Sequence, residues 1–133
     1  MRENEFEDGY VNYLGTFAVR LGADDFTHPC APFDIRRWET MVIEVITTDG
    51  TAASGELQVS FETAISTNPR SEWARDGAVT DLAASGGTTT LQLTGSNAPL
   101  RNWGRIKIAG RSSLSAPKLG TFELRWTGKK RAQ

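Results

Sequence analysis

Apolar and polar residues alternate along most of the chain, and they do so with a period of two. In TFAVRL, Phe17, Val19 and Leu21 alternate with Thr16, Ala18 and Arg20, as in a strand with one buried face. GELQVSFETAI is the cleanest case: Leu57, Val59, Phe61 and Thr63 take one face, and Glu56, Gln58, Ser60 and Glu62 the other. From Thr40, TMVIEVITT is rich in β-branched residues and closes on the turn pair Asp49-Gly50. With GELQVSFETAI it predicts an antiparallel hairpin across DGTAASG. AVTDLA, TTTLQLTG and WGRIKIAG read as further short strands, and in LGTFELRWTG Phe122, Leu124 and Trp126 alternate with Thr121, Glu123 and Arg125. Pro29 and Pro32 make ADDFTHPCAPFDIRRW a loop or edge crossing, with PFDI a brief extension. Residues 66–77, STNPRSEWARDG, form a polar loop around Trp73.

Seven or eight short strands without a sustained helical period predict an all-β chain, an antiparallel β-sandwich of jelly-roll-like form. One strand leaves a question. In WGRIKIAG, Ile106 and Ile108 share a face, and Arg105 and Lys107 share the other. Strict alternation puts Trp103 with the cations, unless Gly104 forms a bulge that turns the ring inward. The packing area of a buried aromatic favours the bulge. Trp73 is similarly divided, between a ring that folds back to plug the end of the core and an exposed sugar-stacking platform. The plug is the preferred reading.

A length of 133 residues suits a single domain. We divide it into an acidic arm over 1–9, expected to be flexible, a sandwich over 10–127 and a basic tail over 128–133. No run of about 18 apolar residues is present, so no membrane span is expected. The acidic start MRENEFEDGY lacks the apolar core of a signal peptide. A single cysteine, Cys30, allows no internal disulfide and suits a reducing compartment.

The net charge of −1 conceals a split: residues 1–98 carry 6 Lys/Arg against 15 Asp/Glu, and residues 99–133 carry 9 against 1. Pairing between neighbouring strands inside one fold is the preferred explanation. Pairing between subunits is the alternative.

The candidate chemistry is sparse. DDFTHPC brings His28 and Cys30 close in sequence, but only Pro29 separates them, which does not suit a nucleophile–base pair. Two such ligands also fall short of a zinc site. Glu56, Glu62 and Glu123 fall on polar strand faces and are expected to be solvated. Asp49, Asp76 and Asp81 are explained by turn chemistry. Ser85-Gly86-Gly87 is a turn with no following helix, so it is not a phosphate loop. No catalytic residue, metal site or cofactor is expected. The KKR tail is too small a cluster for a nucleic-acid motif.

The succession SGELQVSFETAIS, EWARDG, TDLA, TTTLQLTG, LRNWGRIKI and TFELRW, over residues 54–127, resembles the small β-sandwich modules of tailed-phage virion proteins. These include capsid decoration (cement) proteins and related head or tail components. The resemblance implies a non-enzymatic virion structural protein, made in the host bacterial cytoplasm and placed on the capsid surface. It would be a homo-oligomer, with a trimer favoured, and would contact the major capsid protein or other virion subunits. The charge split then marks Glu3, Glu5, Glu7, Asp8, Arg101, Arg105, Lys107 and Arg125 as partner-binding candidates. The alternative is a carbohydrate-binding sandwich that stacks sugar on Trp73. A glycan array separates the two.

Overall fold

The computed structural model describes residues 11–94 and 102–130. The arm residues Glu3, Glu5, Glu7 and Asp8, and also Arg101, lie outside the described residues. Nine strands follow in chain order: β1 (Asn12–Leu21), β2 (Phe26–Thr27), β3 (Phe33–Asp34), β4 (Trp38–Gly50), β5 (Leu57–Ala64), β6 (Ala74–Asp81), β7 (Thr88–Thr94), β8 (Trp103–Gly110) and β9 (Lys118–Lys130). They form two antiparallel sheets, one ordered β1-β9-β4-β7 and the other β2-β8-β5-β6, with β3 also paired to β8. The chain is an all-β sandwich.

The pairing is nested. β1 pairs with β9, β2 and β3 with β8, β4 with β7, and β5 with β6. Because β2 and β3 share one partner, they act as a single interrupted strand, which leaves eight strands arranged as one long hairpin. Successive strand pairs lie in alternate sheets, and the pairings β4–β9 and β5–β8 complete each sheet. This is the jelly-roll wrap, two Greek keys rolled face to face.

The expected β4–β5 hairpin is therefore overturned. β4 continues through Asp49 and Gly50, which pair with Thr121 and Gly120 of β9, and the chain then crosses to the other sheet. The crossing is held by Thr51 N–H to the Leu119 carbonyl at 2.9 Å and Gly55 N–H to the Leu82 carbonyl at 3.0 Å. Two adjacent half-buried strands can bury their apolar faces side by side or across a core from one another, and alternation is the same for both. β9 likewise runs on to Lys130, past the start of the basic tail expected at 128.

Between the sheets, Met41, Ile43, Val45, Leu91, Leu93, Phe122 and Leu124 face Leu57, Val59, Phe61, Ile106 and Ile108. An aromatic cluster fills one end of this core. Trp126 meets Trp38 edge-on at 5.1 Å between ring centroids and stacks on Phe33 at 5.9 Å, while Phe33 also meets Phe61 at 6.0 Å.

The register of β8 on β5 is unbroken from Leu57↔Gly110 to Ala64↔Trp103, so Gly104 makes no bulge. Gly104 instead faces inward with Ile106, Ile108 and Gly110. A Cβ there would sit 2.3 Å from Cζ of Phe61. Glycine is required to seat that ring, and Trp103 stays on the outer face with Arg105 and Lys107, contrary to the favoured expectation.

Candidate interaction face

The outer face of the five-stranded sheet carries the richest surface chemistry. β8 and β5 lie at its centre, and their outward residues face each other as Lys107↔Ser60, Arg105↔Glu62 and Trp103↔Ala64. β2 and β3 border one side and β6 the other. β6 carries a register irregularity opposite Val59–Phe61, at Gly77 with φ 84°, a conformation that suits glycine.

At one end of the face, four side chains interlock. Arg105 lies over the ring of Trp73 at 4.2 Å from its centroid and donates from Nε to Glu62 Oε1 at 2.7 Å. His28 Nε2 reaches the same oxygen at 2.9 Å, and the His28 ring packs edge-on against Phe26 at 5.6 Å. Arg36, held by Asp34 at 3.0 Å from Nε, lies 6.0 Å from the Trp103 ring. Glu62 is thus no solvated surface acid: its side chain is only 14% exposed. Burial pushes its carboxyl pKa up, but the hydrogen bonds and charges of Arg105 and His28 outweigh that and hold it below the ordinary range.

The charge split is partly resolved within the fold. Four cations of the C-terminal segment pair with acids from the first ninety-eight residues: Arg105 with Glu62, Arg111 with Asp81 at 2.7 Å, Lys118 with Glu56 at 3.5 Å and Arg125 with Glu44 at 2.7 Å. Arg105 and Arg125, marked for a partner, are engaged in these pairs. Lys107 has no carboxylate partner among the described residues, and its ammonium lies 4.6 Å from the Phe26 ring centroid. Arg125 is also far from the face just described, because β9 belongs to the other sheet.

Trp73 precedes β6 directly instead of standing mid-loop, and it covers Arg105 instead of plugging the core. His28 and Cys30 diverge: the first turns out to Glu62, while the second packs against the core, where burial raises its thiol pKa despite a hydrogen bond with the Ile106 backbone. Phe26, His28 and Glu62 were not singled out for this face by the sequence. The alternation at Glu62 showed only that it points outward. Its partners Arg105 and His28 come from segments far apart in the chain.

Beyond this cluster the face opens into a cleft of about 410 Å³, lined by Phe26, Lys107, Ala109, Ser60, Val79 and Arg111 among others. Its floor is low because Ala109 and Ser60 are small. Its rims stand high because Phe26 and Val79 are 57% and 42% exposed.

A scan against protein-family models finds no match, and a search of curated proteins finds none either. A search of solved structures finds ten matching chains. One is from a structure of infectious bursal disease virus, Gx strain, with a TM-score of 0.42 and 10% sequence identity. The match covers 92% of this chain and 32% of that one.

Proposed function

We propose that the chain is a non-enzymatic structural protein of a virus particle. In its narrower form the proposal is a capsid decoration (cement) or head-stabilising protein, held on the shell of a tailed phage by protein–protein contacts. Its partners would be the major capsid protein or other virion subunits, and its own state a homo-oligomer, with a trimer favoured. The observation that carries the reading is the nested wrap of the strands, β1–β9 outermost and β5–β6 innermost. Jelly rolls of this order serve both as viral capsid domains and as lectin domains.

Trp73 supports the first class over the second. A sugar-stacking platform presents an open ring face, whereas the half-buried Trp73 has the Arg105 guanidinium over it at 4.2 Å. The outward side chains of β8 and β5 offer aliphatic, aromatic and charged surface together, which suits contact with another protein.

The test is an electron cryomicrograph of the native particle, combined with a glycan array. The reading expects density for this fold on the shell, and an array that stays blank for the wild type and the Trp73→Ala variant alike. A particle without the protein would overturn the virion reading. Specific glycan binding that is lost in Trp73→Ala would replace it with the carbohydrate-binding one.

A further inference from the structure

From the cleft beside Lys107 we infer a site for the acidic N-terminal segment of a second copy of this chain. This goes beyond the virion reading and does not depend on it. The cleft runs across the outer face from Phe26 on β2 to Val79 on β6, over Ala109 and Ser60. Exposed apolar side chains on β2 and β6 border a floor of small residues, and the three strand spacings between them, about 14 Å, leave room for an extended segment with its side chains. Lys107 and Arg111 supply positive charge along it. Arg111 is tied to Asp81, but that pair is solvent-exposed, so its guanidinium can share a second anion. Asp24 lines the rim as the opposing charge. Of these two cations, Lys107 has no carboxylate partner among the described residues.

The segment that precedes Val11 has the complementary pattern. Glu5-Phe6-Glu7-Asp8 places one aromatic ring among acids, in a chain whose other long acidic runs are absent. In an extended segment Phe6 and Asp8 share a face. Phe6 then packs against the Phe26 rim, Asp8 meets Lys107, and Glu5 and Glu7 strengthen the attraction from the other side.

Geometry selects the second copy over the same chain. Asn12 pairs with Trp126, which stacks on Phe33, and Phe33 pairs with Gly104, so β1 begins level with the start of β8. The cleft lies level with Ala109, five residues farther along β8, or about 17 Å at the rise of a strand. It also lies on the far side of the sandwich, whose sheets pack about 10 Å apart, with the outer side chains to be passed as well. The five residues from Phe6 to Val11 span at most about 18 Å when fully extended. A route around the edge of the sandwich is longer than that, so the cleft is filled in trans.

The test is sedimentation equilibrium of the isolated full-length protein over a range of concentrations and salt. Wild type is expected to self-associate, and more weakly at high salt. Phe6→Ala and Lys107→Glu should each weaken association by more than about tenfold; Lys107 stands on the outer face of β8, so Lys107→Glu should leave the melting temperature of the monomer unchanged. Combining Lys107→Glu with Asp8→Lys should restore association, since the pair of charges is then reversed. A wild type that stays monomeric throughout overturns the inference. So does association that neither single variant weakens, or a double variant no better than Lys107→Glu alone. No shell is present in this assay, so its failure leaves the virion reading to its own test.

Discussion

Replacing Gly104 by alanine tests how the two central strands and the core are fitted together. The added Cβ would lie 2.3 Å from Cζ of Phe61 and 3.0 and 3.1 Å from its two ring neighbours Cε1 and Cε2. Carbon atoms rest at about 3.5–4.0 Å, so the ring must retreat by more than about 1 Å. Phe61 is fully enclosed and backs onto Phe33 at 6.0 Å, which leaves it little room to retreat. Overpacking of this kind costs about 1–3 kcal/mol, and the rigid surroundings place it in the upper half of that range. No left-handed φ is involved at Gly104, so alanine recovers about 0.4–1 kcal/mol through the less flexible unfolded chain. The net loss is about 1–2.5 kcal/mol, read as a lower urea midpoint and a melting temperature reduced by roughly 4–10 °C. Phe61→Leu shortens the ring and should rescue Gly104→Ala, with a coupling energy above about 1 kcal/mol in the double-mutant cycle. A Gly104→Ala protein as stable as wild type would refute the argument. Strictly additive effects would refute it too, because the contact with Phe61 would then not be the cause.

Two further outcomes concern Glu62 and Cys30. Glu62→Gln leaves Arg105 without its counter-charge at a position where the guanidinium side chain is 23% exposed, and should cost about 1–2 kcal/mol at neutral pH. The folded-state pKa of Glu62 is depressed, so its stabilisation is complete above the ordinary carboxylate value of about 4.3 and disappears as pH falls through the lower folded value. Urea melts should therefore show the gap between wild type and Glu62→Gln closing below about pH 4; a gap that persists unchanged into acid would refute the pairing. For Cys30, burial raises the thiol pKa, so alkylation of the native protein at mildly alkaline pH should run at least about tenfold slower than in urea. Equal rates would place the thiol at the surface instead of against the core.

Local pattern was sufficient for the fold class and for the faces of the strands. Alternation put Leu57, Val59 and Phe61 inward and Arg105 and Lys107 outward, and both assignments hold in the structure. It failed wherever an answer depended on what lies across a gap. Asp49-Gly50 looked like a hairpin turn because the residues of a turn and of a sheet crossing are alike. The β4–β9 ladder, which draws on residues some seventy positions apart, carries the strand through that point. Gly104 looked like a bulge because a strand glycine has two uses, and only the position of Phe61 on the neighbouring strand selects the second.

The same division explains the interaction face. Charge counts alone revealed the asymmetry between the two parts of the chain, but not where each charge would be spent. Nested pairing brings Arg105 to Glu62, Arg111 to Asp81 and Arg125 to Glu44, and leaves Lys107 at the cleft. By itself, then, the sequence determined an all-β sandwich and the side of each strand that meets water, because burial of one face is a local, period-two property. The tertiary structure alone decided which strands are neighbours, which cations are neutralised and which aromatic is covered, because those depend on residues that only the closing of the two sheets brings together.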